Sequence, residues 1–317
     1  MYTERLLKAI NYNYPDEIPV SCNVLPAAWI HYGQELINLV KDYPDLIPNV
    51  PQLDNIIIPE TYQLGTHVDE WGCEWSNVDL GMEAIVTSHP LPNREDIRSL
   101  KIPGNRDGRM PHGFMYLRLL DLRGFEEAMI DFAEECDELQ MLIDKVTEYN
   151  CRQVEVILAD KKQGDITWFG DDLGMQHGIA IGADKWRKYL KPAFSRIYAP
   201  IKAKGCYVYM HTDGYILDIM PDIVECGVDI INPQCGANGI ENLARVCKGK
   251  IPLDLDLDRQ FFPVATPSQI DDHVRECVET LYMPEGGLGL KTEINYEIPL
   301  KNIAAILDAL RKYRVWK

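Results

Sequence analysis

The stretch "YVYMHTDG", residues 207–214, ends an apolar run in an imidazole, a hydroxyl and a carboxylate. An imidazole two residues from a carboxylate suits two kinds of chemistry. One is ligation of a divalent metal through ring nitrogen and carboxylate oxygen. The other is proton transfer between a general acid and a general base. Four more apolar runs end in the same way. "TWFG" ends in Asp171 and Asp172, and "DIIN" in Asn232, Pro233 and Gln234. "PLDLDLD" ends in Asp256, Asp258, Arg259 and Gln260, and "GLGL" in Lys291, Thr292 and Glu293. His211 with Asp213, Asp256 or Glu293 could hold a metal. Asp171, Asp172, His211 and Asp256 are equally candidates for proton transfer. Gln234, Arg259 and Lys291 are candidates for substrate contacts, the two cations either pairing with a substrate carboxylate or neutralising their acidic neighbours. Any one of these residues also has a plain structural explanation, since Asp and Asn at strand ends cap helices. The set of five is harder to explain that way, because the strand starts "GCY", "GVD", "GKIP" and "GGLG" carry few ionisable groups.

A second feature is "DEWGCEW", residues 69–75, in which Trp71 and Trp75 flank Gly72 and Cys73. Two large aromatics in a hairpin can form a lid or a platform for a planar ligand, or pack a small core of their own. No base stands near Cys73 in the sequence, which argues against a nucleophilic role.

The elements that must position these residues alternate. From about residue 164 the chain reads as five strand–helix units, with short strands apolar on both faces, as in a parallel sheet covered by helices. Pro192 and Pro200 are expected to interrupt or bend the helix in "DKWRKYLKPAFSRIYAPIKAKG", and Thr266 to cap the helix that begins at Pro267. The front half is less regular. "IPVSCNVL" is expected as the first strand and "HGFMYLRLLDL" as another, followed by a long helical stretch over about 124–161. "HVDEWGCEWSN" and "EAIVTSHPL" are expected as a two-stranded excursion. About eight parallel strands result. The expected fold class is therefore α/β, a single (β/α)8 TIM barrel over residues 1–317, with an N-terminal extension and a β-hairpin excursion near residues 66–90. Barrels of this type place their chemistry at the C-terminal ends of the strands, where all five polar runs fall.

Composition narrows the partners. The formal net charge of −17 over 317 residues argues against nucleic acid phosphates and anionic membrane surfaces. Nine cysteines, odd in number and without a CxxC, are expected as mostly free thiols in a reducing cytoplasm. The charged N-terminus does not read as a signal peptide, and no apolar run is long enough for a membrane span.

"GDDLGMQHGIAIGADKWRKYLKPAFSRIYAPIKAKG", "HTDGYILDIMPDIVECGVDIINPQ", "DLDRQ", "ATPSQI" and "PLKNIAAILDALRKY" together resemble the uroporphyrinogen decarboxylase superfamily. The resemblance covers most of residues 65–315 and is strongest from Gly170 onward. It implies a (β/α)8 barrel with a deep active-site cleft, and one of two activities. One is cofactor-free decarboxylation of tetrapyrrole acetate groups in haem biosynthesis. The other is methyl transfer between a small zinc-bound substrate and a corrinoid protein. The decarboxylases carry an R-Q-A-G-R segment and an aspartate in an F-S-D-I-L type motif. The early region here, "SCNVLPAAWIHYG", lacks the arginines, and Asp79 in "NVDLGMEAIV" is a poor match for the aspartate. The methyltransferases carry H-x-C and a later cysteine. Here His211 is kept, Asp213 stands at the first cysteine position, and Glu293 falls close to the second. The resemblance thus implies a corrinoid-linked, zinc-dependent methyltransferase or demethylase. His211, Asp213 and Glu293 would hold zinc, Asp171 or Asp172 would contact substrate or move a proton, and Trp71 and Trp75 would form a lid. The acidic surface would dock a corrinoid protein, and a homodimer would fit the family. The alternatives are uroporphyrinogen decarboxylase and a non-catalytic tetrapyrrole- or corrinoid-binding protein.

Overall fold

The computed structural model describes residues 2–316. Its strands are β1 (Val20–Val24), β2 (Gly65–Val68), β3 (Glu74–Asn77), β4 (Ile85–Ser88), β5 (Ile166–Gly170), β6 (Tyr207–Thr212), β7 (Ile230–Pro233), β8 (Leu253–Asp256) and β9 (Leu288–Ile294). Among the described residues, β1, β9 and β8 pair in parallel, as do β5, β6 and β7, and β2, β3 and β4 form a three-stranded sheet of their own. The protein is thus an α/β protein with parallel strands and covering helices. The chain divides into two compact units. One holds the residues up to Thr66, Ser76–Ile85 and everything from Gln234 onward; the other holds His67–Trp75 and Val86–Pro233.

In the first unit β9 pairs with β1 on one side and β8 on the other. All four residues of β8 are buried, as are Leu288, Leu290 and Ile294 of β9. The helices Pro267–Leu281 and Leu300–Tyr313 pack against each other. They bury Ile270, Val274, Val278 and Leu281 from the first, and Ile303, Ile306, Leu307 and Leu310 from the second. Removing each such side chain from water contributes about 1.5–3 kcal/mol. Thr266 caps the first of these helices in a reciprocal box with Gln269, as its position before Pro267 predicts.

In the second unit β6 pairs with β5 and β7. Phe114, Phe169, Phe194 and Tyr198 form an aromatic cluster beside these strands, with ring centroids 5.1–6.4 Å apart. Pro192 lies in the first turn of the helix Lys191–Ala203, where its missing N–H costs nothing, and Pro200 lies inside it. A π-helical turn, Trp186–Leu190, leads into this helix.

Three expectations are corrected. The segment read as a strand in "HGFMYLRLLDL" is the helix Tyr116–Arg123, and the helices Phe125–Glu134 and Asp137–Ala159 follow it. The described residues therefore contain six parallel strands where the barrel expectation counts about eight. The excursion has three strands, β2 to β4, rather than two. None of the described helices is long and apolar enough to cross a membrane.

Candidate functional site

The register of the second unit sets one row across three strand ends. Gly170 of β5 lies beside His211 of β6, and His211 beside Asn232 of β7. Residues in register on neighbouring strands point to the same face. Accordingly His211 Nδ1 meets Asn232 Oδ1 at 2.6 Å, and Asn232 is fully buried. The amide oxygen can only accept, so Nδ1 carries the proton and Nε2 presents its lone pair. That lone pair faces Asp213 Oδ1 at 3.2 Å. A ring nitrogen and a carboxylate oxygen at this distance are both donor types for a divalent metal ion. An imidazole held at one nitrogen by an amide oxygen is also the usual arrangement of a metal-bound histidine.

The third member of the row has no side chain, and that vacancy is used. A Cβ on Gly170 would stand 2.5 Å from Nδ1 of His112. The backbone here is tied down by the Gly113 N–H, which donates to the Gly170 carbonyl at 2.8 Å. His112 therefore folds over the strand end, with its ring 5.6 Å from that of His211. Its Nε2 lies 3.1 Å from Asp172 Oδ2, and His112, Asp172 and His211 offer ligand atoms within 4.8 Å of one another. Burial alone would raise the Asp172 pKa, but the hydrogen bond and charge of His112 hold it below the usual carboxylate value. Asp172 Oδ1 accepts the Asp213 backbone N–H at 3.0 Å, joining the two carboxylate-bearing loops. His112 is not among the residues singled out from the sequence. Its only trace there is the glycine at the end of "TWFG".

Asp171 has a different environment from its neighbour. It is fully buried and accepts the backbone N–H groups of Met115, Tyr116 and Leu117, at the start of the helix Tyr116–Arg123. Burial pushes its pKa up to about 7, against the pull of those N–H groups. It caps a helix, whereas Asp172 is part-exposed and faces His112.

Gly214 answers for the turn after His211. Its φ is +80°, and a Cβ there would stand 2.2 Å from the Gly174 carbonyl oxygen. Left-handed backbone costs a non-glycine residue about 1–2 kcal/mol before any clash. Gly214→Ala is expected to lower the unfolding free energy by more than about 2 kcal/mol. A urea midpoint within error of the parent protein would refute the close approach.

Trp71 and Trp75 belong to a network around Asp69. Asp69 Oδ1 accepts the backbone N–H groups of Trp71 and Cys73 at 3.0 and 2.9 Å, and Oδ2 accepts Trp75 Nε1 at 3.0 Å. Arg118 Nη1 reaches the same Oδ2, and its guanidinium lies 5.9 Å from the Trp75 ring centre. Trp71 is buried, edge-on to Tyr149 at 5.0 Å. Trp71 thus packs inside its own unit rather than offering an open platform. Burial and the Asp69 charge push the Cys73 thiol up to about 12, so it is no nucleophile at neutral pH. Asp69 itself is opposed by burial but held below the usual value by Arg118. A carboxyl depressed in the folded state stabilises above its unfolded pKa, about 3.9, and loses that contribution as pH falls through the folded value. Asp69→Asn is therefore expected to cost about 3 kcal/mol at pH 7, with Arg118 left buried, and much less at pH 2–3. Parallel stability–pH curves for the two proteins would rule this out.

In the first unit Gln234, Asp256, Lys291 and Ser21 also share one row, through a Gln234–Asp256 bridge and the β8–β9 and β9–β1 register. Arg259 joins the two acids of this unit. Its Nη2 lies 2.9 Å from Asp256 Oδ2, and its Nη1 lies 3.0 Å from Glu293 Oε1. Glu293 therefore has a cationic side-chain partner in its own unit, and Arg259 is engaged by two carboxylates.

Residues 120–313 match the family model described as uroporphyrinogen decarboxylase (URO-D). No curated protein sequence matches the chain. A solved methyltransferase from Methanosarcina mazei aligns over 98% of this chain and 98% of its own, with a TM-score of 0.68 and 17% identity. At that identity the likeness is one of fold.

Proposed function

Because this chain belongs to the uroporphyrinogen decarboxylase family, we propose that it is the methyl-transferring kind of family member: a corrinoid-linked, zinc-dependent methyltransferase or demethylase for a small methylated substrate. The observation that carries this reading is His211, its Nδ1 fixed by Asn232 and its Nε2 facing Asp213 at 3.2 Å. The donor set fits a divalent metal of the zinc class, with His112, Asp172, His211 and Asp213 as the residues that would hold it. A zinc ion there would supply Lewis acidity to the heteroatom that carries or receives the methyl group. Asn232 orients the imidazole, His112 keeps Asp172 ionised, and Asp172 ties down the Asp213 backbone. The methyltransferase title of the structural neighbour agrees with this reading.

Decarboxylation has less support in either unit. A tetrapyrrole with many carboxylates needs unpaired cations, and Arg259 is already engaged by Asp256 and Glu293. The test has two arms. Zinc-loaded protein is incubated with reduced cobalamin and a panel of methanol, methylamines, methoxyarenes and methylated thiols, with methylcobalamin read by absorbance. In parallel it is incubated with uroporphyrinogen and the products are separated by porphyrin chromatography. Methylcobalamin formation that chelation abolishes supports the proposal. Coproporphyrin formation, or no methyl transfer in either direction with any donor, overturns it.

A further inference from the structure

A second cluster of ligating side chains lies wholly in the first unit, away from the residues assigned above. Cys235 opens the short helix Cys235–Asn238, directly after Gln234. His273 and Cys277 stand four residues apart on the helix Pro267–Leu281, which puts them on one face. His273 Nε2 lies 3.7 Å from the Cys235 sulfur and 3.9 Å from the Cys277 sulfur. The ligand atoms of all three residues lie within 4.8 Å of one another. We infer that Cys235, His273 and Cys277 form a binding site for a thiophilic divalent cation of the zinc class.

Three observations carry this inference. The first is distance. A tetrahedral zinc ion has sulfur at about 2.3 Å and nitrogen at about 2.0 Å, which puts neighbouring sulfur and nitrogen ligands roughly 3.5 Å apart. The two sulfur–nitrogen separations need only a few tenths of an ångström of contraction. The second is the ring nitrogen itself: Nε2 meets both sulfurs, and the Asp258 backbone N–H that reaches it at 3.4 Å is a long contact that a bound ion would displace. The third is enclosure. Cys235 and Cys277 are buried, and the rings of Phe261 and Phe262 lie 5.6 and 5.9 Å from the imidazole. An apolar surround strengthens the attraction between a cation and two thiolates. The carboxylates of Asp258 and Glu276 add negative charge near the imidazole. Without metal, the neighbouring Cys277 sulfur and burial keep the Cys235 thiol well above its ordinary pKa. Binding therefore displaces the Cys235 proton and tightens as pH rises. Two sulfurs, one nitrogen and one remaining position make a softer site than the oxygen- and nitrogen-rich cluster around His211, so the two can be told apart by their ligands.

The test uses X-ray absorption at the zinc edge on the full chain loaded with one equivalent of zinc, in the His211→Ala background so that the other cluster does not compete. Two sulfur scatterers at about 2.3 Å are expected. Cys235→Ser and Cys277→Ser, made in the same background, are each expected to lose a sulfur scatterer and at least about 100-fold in zinc affinity. A first shell of nitrogen and oxygen alone in the His211→Ala protein overturns the inference without recourse to the serine variants. So does a two-sulfur shell that survives both serine substitutions. Neither outcome touches the reading of the His211 cluster, which methyl transfer tests separately.

Discussion

Replacing His211 with alanine is expected to cost the protein at least about 100-fold in zinc affinity at the His112–Asp172–His211–Asp213 cluster, and with it methyl transfer. The side chain is the one donor there that faces Asp213 directly and stands within ligand distance of the His112–Asp172 pair. Its loss leaves His112 as the one nitrogen donor of the set. It also leaves Asn232 Oδ1 buried without its 2.6 Å partner, at a stability cost of about 1–3 kcal/mol. Asn232→Leu separates the two effects. It keeps the imidazole and removes only what orients it, so the expected loss of zinc affinity is about 10–100-fold. Zinc competition titrations of the three proteins make the comparison. Equal affinity in parent and His211→Ala protein would remove the metal from this site, and unchanged affinity in Asn232→Leu would remove Asn232 from the orienting role.

The largest expected effect on stability lies elsewhere, in an ion pair within the second unit. Asp131 and Arg123 are both essentially buried, with Arg123 Nε 2.8 Å from Asp131 Oδ2. Arg94 Nε donates to the other oxygen at 2.8 Å, and Arg123 Nη1 donates to the Leu91 carbonyl. Asp131 thus joins the helix Phe125–Glu134 to two arginines outside it. Removing one partner of a buried pair strands the other charge, and Asp131→Ala is expected to cost about 3–5 kcal/mol. Glu127, at 3.1 Å from Arg123 Nη2, is half exposed and compensates little. The double change Arg123→Met with Asp131→Leu is expected to recover much of the loss, since the one charge then left behind, Arg94, is part-exposed and keeps Glu134 at 2.7 Å. Urea unfolding of the three proteins reads this directly. A loss below about 1 kcal/mol for Asp131→Ala would mean the charge is solvated.

The same stretch shows where the sequence was silent. Five strands after residue 164 were legible because each is a short apolar run with a polar end. The helix Tyr116–Arg123 was not. It buries Tyr116, Leu119 and Leu122 together with Arg118 and Arg123, so no polar stripe marks its outer face. Its first N–H groups are satisfied by Asp171, more than 50 residues away, so no local capping residue announces it. An apolar run without visible period reads as a strand. His112 was missed for a related reason. It is positioned by the absence of a side chain at Gly170, and a glycine says nothing about what fills the space it leaves. The pairing of His211 with Asp213 was legible from their spacing, and the row with Asn232 needed the strand register. His273 and Cys277 stood at helical spacing in the sequence, but nothing local tied them to Cys235.

The loops after β5 and β6 are joined largely through main-chain atoms. The Asp171 N–H donates to the His211 carbonyl at 3.0 Å, Gly174 to the Asp213 carbonyl at 3.1 Å, and Tyr215 to the Met175 carbonyl at 2.8 Å. Peptide groups are the same whatever side chain they bear. Position 213 can therefore change its side chain without the scaffold being rebuilt around it. Were the proposed metal held there, a frame of this kind would let the hardness of the centre change by one substitution, oxygen for sulfur, while its address in the molecule stays fixed.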